Sequence, residues 1–178
     1  MASLRKAGAY SKKLARPYTR VSKNRQKAYI KTSPQGKIVK FQTGNMKAVK
    51  NDKYKYVIRY IAGEKVQVRD NALEACRMLI TKQLDLQLPG QYFFEVKVFP
   101  HHILRENKTA AGAGADRLSS GMKHSFGITI GRAAMVNAGK EIFVVRVGSE
   151  RAAAIARAAV NKVKPKVPCK GRVVFEKA

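Results

Sequence analysis

Acidic residues are scarce in this chain: 11 aspartates and glutamates stand against 37 lysines and arginines, for a formal net charge of +26. From Met1 to Asn51 there is no acid at all. A domain with that much like charge repels itself unless a polyanion accompanies it, so the expected partner is nucleic acid or an anionic membrane surface. Long apolar runs are also missing. None approaches the roughly 20 residues that span a bilayer, and the start lacks the apolar stretch of a secretory signal, which points to no membrane partner and to the cytosol. Cysteines number two, Cys76 and Cys169, without CxxC spacing. That argues against a disulfide framework or a zinc site and leaves two plain thiols, with Cys76 in a helix core.

Catalytic constellations are equally thin. Neither GxSxG nor HExxH occurs, and Glu106 and Asp116 have no neighbour that completes an obvious acid/base pair. His101 and His102 are adjacent, so on a strand they point to opposite faces and chelate poorly. One ring is expected to be packed or hydrogen-bonded and the other to contact phosphate or base. The run "GAGADR" holds Gly112 and Gly114, two glycines of a dinucleotide fingerprint, but Arg117 stands where the third belongs and no βαβ unit surrounds it. The expectation is a protein that is not an enzyme, with no metal, cofactor or small-molecule substrate.

What the chain does have is cations with aromatics among them. Residues 1–35 read as an extended basic arm in which Arg5, Lys6, Lys12, Lys13, Arg16, Arg20, Lys23, Arg25 and Lys27 recur every few positions, with Tyr10, Tyr18 and Tyr29 between them. The cations suit phosphate neutralisation with counterion release, and the tyrosines suit stacking on exposed bases or ribose. A merely solubilising tail is the bland alternative, though such tails seldom interleave aromatics.

Residues 36–178 read as a single α+β domain, and the 178-residue chain with 45% apolar content is long enough to bury a core. "GKIVKFQTG" alternates as a half-buried strand would, with Ile38, Lys40 and Gln42 against Val39 and Phe41. Strands are expected over 54–62 and 64–69, turning at Gly63. Asn71 then opens a helix as its cap, with Glu74 completing a capping box and Leu73, Cys76, Ile80 and Leu84 on one face; Pro89 and Gly90 end it. "QYFFEVKVFP" is a further strand, and "GITIGRAAMV" and "KEIFVVRV" are strands joined by a turn at Asn137 to Gly139. A second helix begins at Ser149 with a stripe of Ala152, Ile155, Ala159 and Val163, turns Arg157 and Lys164 away, and stops at Pro165 and Pro168 before "GRVVFEKA". Two helices packed on a largely antiparallel sheet follow from this order.

Between Arg105 and Lys123 the chain carries a long glycine/alanine loop. Ala110 to Ala115 has almost no side-chain bulk and suits close approach of backbone to a ligand. Asp116 can cap a short helix with Leu118, Met122 and Phe126 along one side and Arg117 and His124 on the other, stopped by Gly127.

"ARPYTR", "KIVKFQTGN", "NALEACRMLITKQL", "PHHILRENK" and "AGADRLSSGMKHSFG", in that order, resemble the family of large-subunit ribosomal proteins numbered sixteen in the universal naming and ten-e in archaea and eukaryotes. The likeness runs from about Arg16 to at least Val136 and is to the archaeal branch. It implies an α/β sandwich and a non-catalytic, cytoplasmic component of the ribosome, with large-subunit rRNA, tRNA and other large-subunit proteins as partners. It also implies that the loop over 102–119 reaches towards the peptidyl transferase centre and the acceptor end of tRNA. On that reading His102, Arg105, Lys108, Gly112, Gly114, Arg117, Lys123 and His124 face tRNA. One departure is Ile128 and Thr129, where many members follow Phe-Gly with Lys-Pro. A free RNA-binding or RNA-chaperone protein acting outside the ribosome would show the same arm and charge.

Overall fold

Alternating and continuous apolar runs in the middle and end of the chain build sheets, and the two periodic segments build helices across them. The computed structural model describes residues 8–12, 33–107, 121 and 127–177. The elements are α1 (Gly8–Ser11), β1 (Gln42–Gly44), α2 (Met46–Lys50), β2 (Tyr56–Ala62), β3 (Val66–Arg69), α3 (Asp70–Gln87), β4 (Tyr92–Val96), β5 (His102–Glu106), β6 (Ile128–Val136), β7 (Glu141–Val147), α4 (Glu150–Asn161) and β8 (Gly171–Lys177), with a 3-10 turn over Lys164–Lys166. The α+β class holds, with every strand pair antiparallel.

The strands form two sheets rather than one. Five are ordered β1-β4-β7-β2-β8 and three are ordered β3-β6-β5. The expected turns at Gly63 and at Asn137 to Gly139 therefore join strands of different sheets. Both crossovers occur at one place, where the Gly139 amide donates to the Ala62 carbonyl at 2.8 Å and the Ala62 amide donates to Lys140 at 3.0 Å. Consequently β2 and β3 on one side, and β6 and β7 on the other, make one antiparallel ribbon that bends from sheet to sheet: Tyr56 faces Val147 at one end and Arg69 faces Ala133 at the other. Such corners let two sheets share strands while their inner faces stay packed. At Gly63 the amide sits 2.7 Å from the Lys170 carbonyl, and a Cβ there would lie equally close to that oxygen.

Helices α3 and α4 touch each other. Helix α4 lies on β2, β7 and β8, and α3 also reaches β3, β4 and β6. Leu73, Cys76, Ile80 and Leu84 are buried along α3 as the spacing requires. Burial pushes the Cys76 thiol up to about 12, so it stays protonated as a small apolar side chain. Helix α4 is capped by the Ser149 hydroxyl, which accepts from the Ala152 amide at 3.2 Å. Its buried face is Ala152, Ala153, Ala156, Ala159 and Val160, with Ile155 only partly covered, so the stripe sits slightly round from the expected one.

Two local expectations fail. The capping box does not form: α3 starts at Asp70 after Arg69, and Glu74 turns to the Arg77 guanidinium and to the Val39 amide instead. The strand expected over 36–44 shrinks to Gln42–Gly44. Upstream, the Lys37 and Val39 amides find carboxylates of Asp70 and Glu74 at 3.2 and 3.3 Å, so that segment runs along α3 rather than beside a strand. Ile38 and Phe41 pack on the core while Val39 is 74% exposed.

Candidate nucleic-acid interface

The three-stranded sheet is where the described parts of the arm and the loop meet. Strand β5 ends at Glu106 and β6 begins at Ile128, paired with each other, so this hairpin is the root of the glycine/alanine loop. On the same sheet α1 packs against β3. Tyr10 is only 7% exposed, clustered with Leu104 and Ala133 and touching Ile130. The Gln67 amide donates to the Tyr10 carbonyl at 3.0 Å, and the Arg69 guanidinium lies 5.6 Å from the centre of the Tyr10 ring. The Tyr10 hydroxyl donates to Glu106 at 3.2 Å, which joins the arm to the foot of the loop.

Arginines hold the other ends. Arg132 on β6 donates to the Pro34 carbonyl at 2.7 Å and to the Ser33 hydroxyl at 2.8 Å, at the point where the arm gives way to the domain. Arg105 donates to the Gly127 carbonyl, closing the hairpin. Gly127 has φ of +71, and a Cβ there would sit 2.6 Å from the Glu106 carbonyl carbon. Only glycine fits this close return of the chain.

Several residues nominated from sequence take other roles in the structure. Tyr10 was expected to stack on bases, but its ring is covered by Arg69 and the sheet. His102, placed at the start of the tRNA-facing loop, belongs to β5 and is 9% exposed, while His101 is exposed, as expected of an adjacent pair that divides between packing and surface. Burial, and then the charge of His101, holds the His102 ring below the ordinary histidine value. Lys12 is exposed. Arg5, Lys6, Lys13, Arg16, Tyr18, Arg20, Lys23, Arg25, Lys27, Lys108, Gly112, Gly114, Arg117, Lys123 and His124 lie outside the described residues, as does the short helix expected from Asp116. Among the described residues no group of three or more His, Cys, Asp or Glu is placed to hold a metal, and no helix is long and apolar enough to cross a membrane.

The organisers Gln67, Arg69 and Arg132 went unnoticed in the sequence, and Glu106 was weighed only as an acid/base candidate. Their one sequence signal is polarity in otherwise apolar strands, as in "VQVR", and it does not say which segment they hold.

The outer face of the five-stranded sheet is different. Arg59 on β2 meets Glu141 on β7 at 3.2 Å and also Glu176 on β8, and Lys97 meets Glu95 at 2.6 Å. Arg59 and Lys97 are thus matched with acids.

Comparison with known proteins identifies the family. The family described as ribosomal protein L16p/L10e matches residues 16–174. A protein of Staphylothermus marinus named large ribosomal subunit protein uL16 is 41% identical over 174 residues, covering 97% of this chain and 94% of its own length. Proteins of the same name from Archaeoglobus fulgidus and Hyperthermus butylicus are 38% and 42% identical, covering 97% and 88% of this chain and 94% and 82% of their own. A match over nearly the whole chain at this identity means that the chain belongs to the ribosomal protein L16p/L10e family.

Proposed function

We propose that this protein is a structural, non-catalytic component of the large ribosomal subunit, in the cytoplasm, that binds large-subunit rRNA and helps position tRNA. Its family and the names of its relatives support the assembly. The observation that carries the RNA reading is the shared root of arm and loop. Two cation-rich segments far apart in sequence start from one small sheet, tied by Tyr10 and Glu106. The arm supplies affinity through phosphate neutralisation, and the folded face supplies register by fitting RNA shape. Residues 36–178 act as one domain with the sandwich arrangement of the family, a reading supported by α3 touching strands of both sheets. The loop over 102–119 contributes Lys108 and Arg117 towards tRNA, whereas Arg105 serves the hairpin itself.

Sedimentation of the native protein on a sucrose gradient, at low salt and after a high-salt wash, tests the assembly. Stoichiometric recovery with large subunits through the wash is expected. Protein at the top of the gradient under both conditions would overturn the reading in favour of a free RNA-binding role. Replacing Lys108 and Arg117 by alanine should spare large-subunit assembly and weaken tRNA binding; loss of assembly would make them structural rRNA contacts.

A further inference from the structure

Phe99 is 58% exposed and follows β4 in an extended segment whose residues alternate. Val98 and Pro100 are buried, while Lys97, Phe99 and His101 face solvent. The ring is not loose: it stacks on Phe41 with centroids 5.5 Å apart and planes 26° apart. Phe41 packs against the core and its carbonyl accepts from the Val96 amide at 2.8 Å, which fixes the inner ring of the pair. The surroundings are cationic. Lys37 and Lys40 are exposed just before Phe41 in sequence, and the nearby acids are already held: Glu95 by Lys97 at 2.6 Å and Gln42 at 3.1 Å, Glu74 by Arg77 at 2.8 Å, and Asp70 by the Lys37 amide at 3.2 Å.

We propose that the Phe99 ring is a stacking platform for one unpaired base of RNA, with Lys40 and His101 taking the adjoining phosphates. The inference rests on the RNA-binding reading above and adds a contact site to it. A single aromatic face backed by a second ring and bordered by cations matches how single-stranded nucleic acid is gripped. A protein partner would call for a wider apolar patch, and between Lys97 and His101 the Phe99 ring is the one exposed apolar side chain, with Val98 and Pro100 buried.

The test uses the full chain and two oligomers of equal length at moderate salt, one oligouridylate and one abasic sugar-phosphate. Phe99→Ala should weaken oligouridylate binding by about fivefold or more and leave the abasic oligomer unaffected, because a stacked base contributes only where a base exists. The chain has 0 tryptophans, so Phe99→Trp installs a sole indole. Its fluorescence should be quenched by oligouridylate and not by the abasic oligomer. Equal loss for both oligomers, or an unquenched indole with unchanged Phe99→Ala affinity, overturns the platform while RNA binding stands, and leaves the ring to a protein neighbour. Failure of the wild type to bind either oligomer overturns the RNA reading itself. Should Phe99→Ala melt early, the tryptophan variant decides alone.

Discussion

The two sheets use their arginines differently. On the outer face of the five-stranded sheet, Arg59 links β2 to its neighbours through Glu141 and Glu176, so its charge is matched within the fold. On the three-stranded sheet, Arg132 and Arg105 grip the carbonyls of Pro34 and Gly127, and Arg69 covers the Tyr10 ring. Arg132, by holding the neutral Pro34 carbonyl and Ser33 hydroxyl, orders the chain without cancelling its own charge. One sheet thus ties strand to strand. The other fixes the roots of segments that carry cations, which is what a polyanion-binding surface requires.

Breaking the Tyr10 anchor should have the largest effect. Tyr10→Ala removes a buried ring worth about 3 kcal/mol, so tryptic cleavage after the exposed Lys12 should accelerate about a hundredfold, read by mass spectrometry. Unchanged cleavage would mean that α1 is held by something other than its tyrosine. Next comes Arg132→Met. Losing two charged hydrogen bonds should cost about 1.5 kcal/mol and lower the melting temperature by about 3–6 °C, with faster hydrogen exchange at residues 35–37. Arg59→Met should cost less, roughly 0.5–1 kcal/mol, because its partners Glu141 and Glu176 have side chains 37% and 48% exposed. A double-mutant cycle with Glu176→Gln measures the pair, and a coupling as large as the Arg132 effect would erase the contrast between the sheets.

The smallest effect expected is of pH. The His102 ring is held below the ordinary value of 6.5, so the unfolded chain takes up a proton first as pH falls. Stability contributed by the neutral ring is complete above about 6.5 and declines as pH drops from there towards the folded value. Urea titrations of wild type and His102→Gln should differ in slope only in that window; parallel curves would place the titrating group elsewhere.

Local patterns in the sequence carried the parts of the fold that local physics decides. Leu73, Cys76, Ile80 and Leu84 fall on one face because helix periodicity is enough to put them there, and Ser149 caps α4 because its partner amide is three residues away. Long-range partners were illegible. Nothing near Val39 announces that its amide goes to Glu74, and that diversion both shortens a strand and dissolves a capping box. Tyr10 reads as a solvent aromatic among cations until Gln67, Arg69 and Glu106 close around it. The sheet switch at Gly63 and Gly139 was hidden for the same reason, since turn residues say that a chain bends and not which strand it meets next. The candidate site was legible as composition, in the arm and the loop, but not as a meeting place.

The bent ribbon sets an order on how the chain acquires its structure. Its corner joins Ala62 to Gly139 and Lys140, and β2 is then flanked by β7 and β8, both encoded long after it. Contacts of such wide sequence separation form slowly, because loop closure is unfavourable before any pairing offsets it. During synthesis the acid-free arm therefore leaves the exit tunnel well before the strands around Ile58, Val66 and Val68 have partners to cover them. A nascent chain in that state presents cations first and an open apolar sheet edge second, so the arm is available to a polyanion before the domain behind it has closed.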